Sequence, residues 1–232
     1  MLFIYRSVMV ALAVFCVGTF TALGAADLPL ENIQLPPGFS IDVYATKVAN
    51  ARQMALGTNG TLFVGSRDKG LGRVHAVIDK DKDGKADEVA VIARNLVQPS
   101  GLAFRDGALY VAEIHRIIKF ENIESNYANN PEPVVVNDTY PDKEWHGWKF
   151  IAFGPDGKLY VPVGAPCNVC ESEDEIFGTI TRLNADGTGR EIFAKGVRNS
   201  VGFDWHPVTK ELWFTDNGRD MMGDDLPPDE LN

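Results

Sequence analysis

Short apolar runs separated by polar turns recur along the chain, and four of them carry one phrase: Leu62-Phe63-Val64, Leu109-Tyr110-Val111, Leu159-Tyr160-Val161 and Leu212-Trp213-Phe214. The repeat leucines fall 47, 50 and 53 residues apart. Gly101-Leu102-Ala103-Phe104 leads through Arg105-Asp106-Gly107 into the second copy, and Ile151-Ala152-Phe153 leads through Gly154-Pro155-Asp156-Gly157 into the third. Asp-Gly turns, with Asn59-Gly60 before the first copy, supply the positive φ angles that match strand twist, so each phrase predicts a β-hairpin. Hairpins at a period of about fifty residues predict an all-β fold, a β-propeller whose blades bury their faces only against neighbouring blades. A β-sandwich is the alternative, but sandwiches rarely keep such a period. In a propeller, residues at equivalent places in successive blades converge on one axis.

The two ends read differently. Arg6, the apolar run from Val8 to Leu23 and the small residues Gly24-Ala25-Ala26 have the zones of a secretory signal, which assigns residues 1–26 to a signal peptide and the mature protein to the periplasm or the exterior. An uncleaved membrane anchor is the alternative; after cleavage no stable membrane insertion is expected. Bulky Phe15 argues against a lipid anchor at Cys16. Residues 27–232 form the propeller domain. The polar segment from Asp220 to Asn232 shows no strand to finish the last blade, so the expectation is an N-terminal part of about three to four blades of a larger propeller, incomplete at its C-terminus. A closed four-bladed ring using Phe39 to Tyr44 as its last strand is the second choice.

Net charge is −10, which argues against nucleic acid or an anionic membrane as partner. With Cys16 in the signal, Cys167 and Cys170 remain, and in an exported protein they most simply form a tight disulfide. A redox-active dithiol is the alternative. Haem attachment would need His where Glu171 stands, and a zinc site would need a second Cys pair.

Asp79, Asp81, Asp83 and Asp87 precede or flank Gly84 at a spacing with which carboxylates wrap calcium, although Ala90 holds the place of the last ligand of an EF-hand. A charged hairpin turn is the competing reading, and either way the site is expected to be structural, on an outer connection between blades. A second set stands out by position. Gln98 lies 11 residues before Leu109, His146 13 before Leu159, and Arg198 and Asn199 lie 14 and 13 before Leu212. Each falls where the chain enters a blade's first strand, beside the axis, so an amide, a base and a guanidinium converge on one mouth. His75, His115 and His206 are expected to be structural. Neutral His can take a hydroxyl proton, and Arg can clamp a carboxylate. No Gly-rich phosphate loop is present, so redox chemistry would need a non-nucleotide cofactor.

Trp145-His146-Gly147-Trp148 running into Phe153-Gly154-Pro155-Asp156-Gly157-Lys158-Leu159-Tyr160, and then Gly196-Val197-Arg198-Asn199-Ser200-Val201-Gly202-Phe203, resembles the quinoprotein glucose/sorbosone dehydrogenases over residues 35–232. Pro166-Cys167-Asn168-Val169-Cys170 points to the sorbosone-dehydrogenase-like branch. The resemblance implies a six-bladed propeller with pyrroloquinoline quinone (PQQ) and calcium as cofactors. It implies His146 as general base, Gln98 near base and cofactor, Arg198 and Asn199 against the quinone, and Gly218 and Arg219 at the cofactor calcium. The implied reaction oxidises a sugar hemiacetal or an aldehyde: His146 takes the hydroxyl proton, hydride passes to the quinone, and an external acceptor such as a cytochrome or quinone takes the electrons. One departure is Trp145, where the family commonly has an Asp that orients the base; Asp142 and Glu144 are the nearby carboxylates. Further basic cofactor contacts would lie beyond Asn232. A calcium-dependent gluconolactonase-type hydrolase and a non-catalytic binding propeller are the rival readings.

Overall fold

Each leucine phrase lies in the second strand of its own antiparallel sheet. The computed structural model describes residues 28–68, 71–223 and 225–232; the segment read as a signal peptide, with Cys16, lies outside them. The first sheet runs β1 (Ala51–Leu56), β2 (Leu62–Ser66), β3 (Gly72–Ile78) and β4 (Glu88–Leu96). The second runs β5 (Gly101–Arg105), β6 (Ala108–Ala112), β7 (Ile117–Phe120) and β8 (Val134–Asn137). The third comprises β9 (Ala152–Phe153), β10 (Leu159–Val163), β11 (Thr179–Leu183) and β12 (Glu191–Lys195), and the fourth β13 (Phe203–Trp205), β14 (Leu212–Asp216) and β15 (Glu230–Leu231). Strand order follows chain order in every sheet, which is the up-and-down arrangement of propeller blades. The register repeats as well: Leu62, Leu109, Leu159 and Leu212 face Leu56, Phe104, Phe153 and Trp205 across their hairpins. The β5–β6 turn places Asp106 and Gly107 at φ 51° and 78°, the positive pair that a two-residue hairpin demands.

The core is built between blades by the two-residue period of the strands. Leu109 and Val111 of β6 pack with Phe63, Val74 and Leu102 toward the first blade. Tyr110 and Ala112 of the same strand turn the other way, to Ile151, Leu159 and Val161. Tyr160 and Ile180 then pack with Phe203 and Val197 toward the fourth blade. Large side chains such as Phe63, Phe120, Leu109 and Leu159 are wholly buried, each contributing about 1.5–3 kcal/mol of transfer free energy.

Three expectations are corrected. The acidic loop does not connect blades: it is the β3–β4 hairpin inside the first blade. The last sheet does gain a third strand, because Glu230 and Leu231 pair with Asp216 and Thr215, although two residues carry no periodicity visible in sequence. Residues 39–44 form no strand, so they do not close a four-bladed ring. The segment up to Asp42 is a separate unit whose described part holds a 3-10 turn at Leu30–Asn32. Among the described residues no helix is long and apolar enough to cross a membrane.

Candidate functional site

The first strands of successive blades are stitched together by two polar side chains. Gln53 of β1 accepts from the N–H of Leu102 (2.9 Å) and of Ile151 (3.0 Å) and donates to Ile151 O (2.8 Å). Ser100 donates to Lys149 O (2.9 Å) and accepts from Lys149 N (3.0 Å). These bonds satisfy main-chain groups on strand edges that have no ladder partner. A cleft of about 290 Å³ opens here, lined by residues of all four blades, among them Arg52, Gln53, Ser100, Trp148, Lys149 and Val201.

His146 and Arg198 meet on the Gly164-Ala165 dipeptide after β10. His146 adopts φ 51°, unusual for a residue with a side chain, within a turn closed by Gly147 N–H to Glu144 O at 3.0 Å. A side chain at Gly164 would stand 2.5 Å from His146 Cβ and 3.3 Å from Arg198 O, so only glycine allows the approach. Ala165 O lies 2.8 Å from His146 Nδ1, and Ala165 N–H donates to Arg198 O at 2.8 Å. A carbonyl only accepts, so Nδ1 carries the proton and Nε2 presents its lone pair. Burial holds the imidazole below its usual pKa, with Arg198 adding to the effect; the Ala165 bond, Asp220 and Asp216 oppose it. The group that orients the ring at Nδ1 is therefore the main-chain carbonyl of Ala165.

Arg198 is gripped on several sides. Nε and Nη2 donate to Asn168 O (3.3 Å) and Oδ1 (2.7 Å), and Nη1 donates to Asn217 O (2.9 Å). Asp220 stands 3.7 Å from Nη2. The Asp216 carboxylate accepts from the N–H of Arg198 (2.8 Å) and of Asn199 (2.6 Å), which fixes the two residues as a pair. Asn168 lies inside the loop closed by Cys167–Cys170, whose Cα atoms are 6.0 Å apart, and its amide also brackets Asp220. The cleft beside this loop, about 410 Å³, is lined by Asn168, Arg198 and Arg219. A second, about 260 Å³, lies between Arg198, Asn217, Gly218 and Arg219. Gly218 N–H donates to Asp229 (2.8 Å). An anionic planar group fits this donor set: two of the five Arg198 N–H donors remain uncommitted, and Arg219 is exposed at the rim.

Gln98 precedes β5, is 3 % exposed and adopts φ 47°. Its turn is held by the wholly buried Glu113, which accepts from Val97 N–H at 2.6 Å and pairs with Arg116. The Ser100–Lys149 bridge brings the Gln98 and His146 segments side by side. His75 is buried in β3, and His206 Nδ1 caps its turn by accepting from Thr209 N–H (3.1 Å).

At the β3–β4 hairpin, carboxylate oxygens of Asp79, Asp81 and Asp87 lie within 4.8 Å of one another, which suits an oxygen-seeking divalent cation. Asp83 is not in the group; it accepts from Lys85 N–H at 2.8 Å. Asn168, Ala165, Asp216, Gln53 and Ser100 also belong to the site, although the sequence did not single them out. For Asn168 a signal existed, its place inside the cysteine loop; for the others none did.

Solved structures share the fold. The holo PQQ domain of pyranose dehydrogenase from Coprinopsis cinerea superposes with a TM-score of 0.64 at 13% identity, covering 75% of this chain and 45% of that one. The PQQ-bound aldose sugar dehydrogenase from Streptomyces coelicolor gives 0.61 at 24% identity, covering 83% and 62%. A curated relative from Borreliella burgdorferi, named only as an uncharacterized protein, is 27% identical over 240 residues; the alignment takes in 94% of this chain, which thus spans 58% of that protein's length. The family described as "Domain of unknown function (DUF7133)" matches residues 26–230, and the chain belongs to that family.

Proposed function

We propose that the protein is an exported oxidoreductase that oxidises a sugar hemiacetal or an aldehyde with PQQ as hydride acceptor. The observation that carries this reading is the His146 tautomer: Nδ1 is tied to Ala165 O, so Nε2 is a neutral base held beside Arg198. Arg198, Asn199 and Arg219 would hold the quinone, which when bound supplies an acceptor for hydride. Arg198 is pre-oriented by Asn168 and Asn217, so little side-chain freedom is lost on binding an anion. His146 Nε2 would take the substrate hydroxyl proton, and burial keeps the ring neutral for that task. Gln98 would stand near base and cofactor. A calcium ion at Asp79, Asp81 and Asp87 would brace the first blade, and electrons would pass to an external cytochrome or quinone.

PQQ titration of the purified protein with calcium present, followed by dye-linked turnover of aldoses and aldehydes, tests the reading. Saturable binding weakened more than about tenfold by Arg198→Ala supports it. Hydrolysis of a lactone without PQQ would favour the gluconolactonase reading, and absence of both activities the binding propeller.

A further inference from the structure

Two cations take no part in the site around His146 and Arg198. In a chain of net charge −10, Arg52 and Arg67 stand exposed against the same indole: Arg52 Cζ is 4.5 Å and Arg67 Cζ 5.0 Å from the centre of the Trp148 ring. Neither guanidinium has a hydrogen-bond or carboxylate partner among the described residues, whereas Arg105, Arg182, Arg190 and Arg198 each donate to oxygen. Asp68, next to Arg67 in the chain, accepts instead from Asn50. A guanidinium held against an aromatic ring spends no N–H on that contact, and its donors stay free for bidentate recognition of an oxyanion. With Cζ atoms 4.5 and 5.0 Å from one ring centre the two cations lie no more than about 9.5 Å apart and repel each other, and an anion near both lowers that repulsion.

The platform stands at the mouth of the axial cleft, which Arg52 and Trp148 both line. Trp148 lies two residues after His146, just past the tight turn that holds it. On the other side of His146, Trp145 is 52 % exposed, its ring 5.8 Å from the imidazole. A base, an exposed aromatic face and a paired guanidinium fork are thus set within four consecutive residues and two neighbours.

We infer that Arg52 and Arg67, stacked on Trp148, form an anion subsite that holds the acidic group of the substrate, which makes the substrate an acidic carbohydrate such as a uronic acid rather than a neutral sugar. This rests on the oxidoreductase reading for the fate of the sugar, but binding to the subsite does not. The test is calorimetric titration of the purified, PQQ-free protein with D-glucuronate, D-glucose and inorganic phosphate, with Trp fluorescence as a second readout. The expected result is glucuronate binding at least about tenfold tighter than glucose, with Arg52→Gln and Arg67→Gln each lowering that preference about tenfold while circular dichroism stays unchanged. The preference should also fall as salt is raised. Equal affinity for glucuronate and glucose, or a preference that survives the double variant, overturns the subsite. Phosphate binding as tightly as glucuronate overturns the assignment to an acidic sugar. Because no cofactor is present, failure of PQQ binding or turnover elsewhere leaves this measurement interpretable.

Discussion

His146 and Arg198 are fastened to the same residue: Ala165 O lies 2.8 Å from His146 Nδ1, and Ala165 N–H donates to Arg198 O at 2.8 Å. One residue just past β10 therefore sets both the tautomer of the imidazole and the main-chain position of Arg198. A side chain at Gly164 would collide with His146 and crowd Arg198 O, so Gly164→Ala should lower activity and PQQ affinity together, whereas a variant touching only one of them should separate the two.

Gln53 is expected to be worth more to stability than its surface position at the axis suggests. Gln53→Leu leaves the N–H of Leu102 and both main-chain groups of Ile151 without protein partners. At about 1–3 kcal/mol per unsatisfied buried group, reduced by water at the cleft, a loss of roughly 2–4 kcal/mol is expected in urea unfolding. A change below about 0.5 kcal/mol would show that the inner strands do not depend on this bridge.

Lys149 gives the fold a pH dependence of known sign. It is buried, its ammonium lies 5.3 Å from the Tyr140 ring centre, and burial lowers its pKa to about 7. Unfolded lysine titrates near 10.4, so between about pH 7 and 10 the unfolded chain binds more protons and stability rises with pH. The slope is at most about 1.4 kcal/mol per unit, and Tyr140, pushed up to about 12, stays protonated throughout. Lys149→Met should flatten the profile and raise the melting temperature at pH 7. An unchanged slope in the variant would assign the dependence to other groups.

Calcium should raise the melting temperature relative to chelator, and Asp81→Ala should abolish the difference, because Asp79, Asp81 and Asp87 bring their oxygens within 4.8 Å of one another. Asp83→Ala should keep most of it, since Asp83 bonds its own turn. A calcium response that survives Asp81→Ala would place the ion elsewhere.

Intact-mass analysis of exported protein should show loss of residues 1–26 and no alkylatable thiol before reduction, as expected of a cleaved signal and the Cys167–Cys170 bond. Retained Met1 or two free thiols would contradict the respective expectation.

The blades were legible because each hairpin carries its own local chemistry, apolar alternation flanking an Asp-Gly turn, and because the period repeats. The same period located His146 and Arg198, since counting from the repeat leucine fixes where a chain enters a first strand. What it hid was anything made by bonds across blades. Gln53 reaches Ile151 over 98 residues and Ser100 reaches Lys149 over 49, and an isolated Gln or Ser carries no mark of such a role. The orienter of His146 was invisible for a related reason: every residue has a carbonyl, so a search for carboxylates passes over Ala165. Strand β15 escaped because Glu230 and Leu231 are too few to show a pattern.

In the proposed reaction His146 moves the substrate proton while Arg198 holds the cofactor. The most direct measurement is the paired effect of His146→Gln on PQQ affinity and on dye-linked kcat with a sugar or aldehyde. In this variant kcat should fall about 10²- to 10⁴-fold with PQQ affinity changed less than about threefold. Full turnover in His146→Gln, or loss of PQQ binding in step with loss of rate, would contradict it.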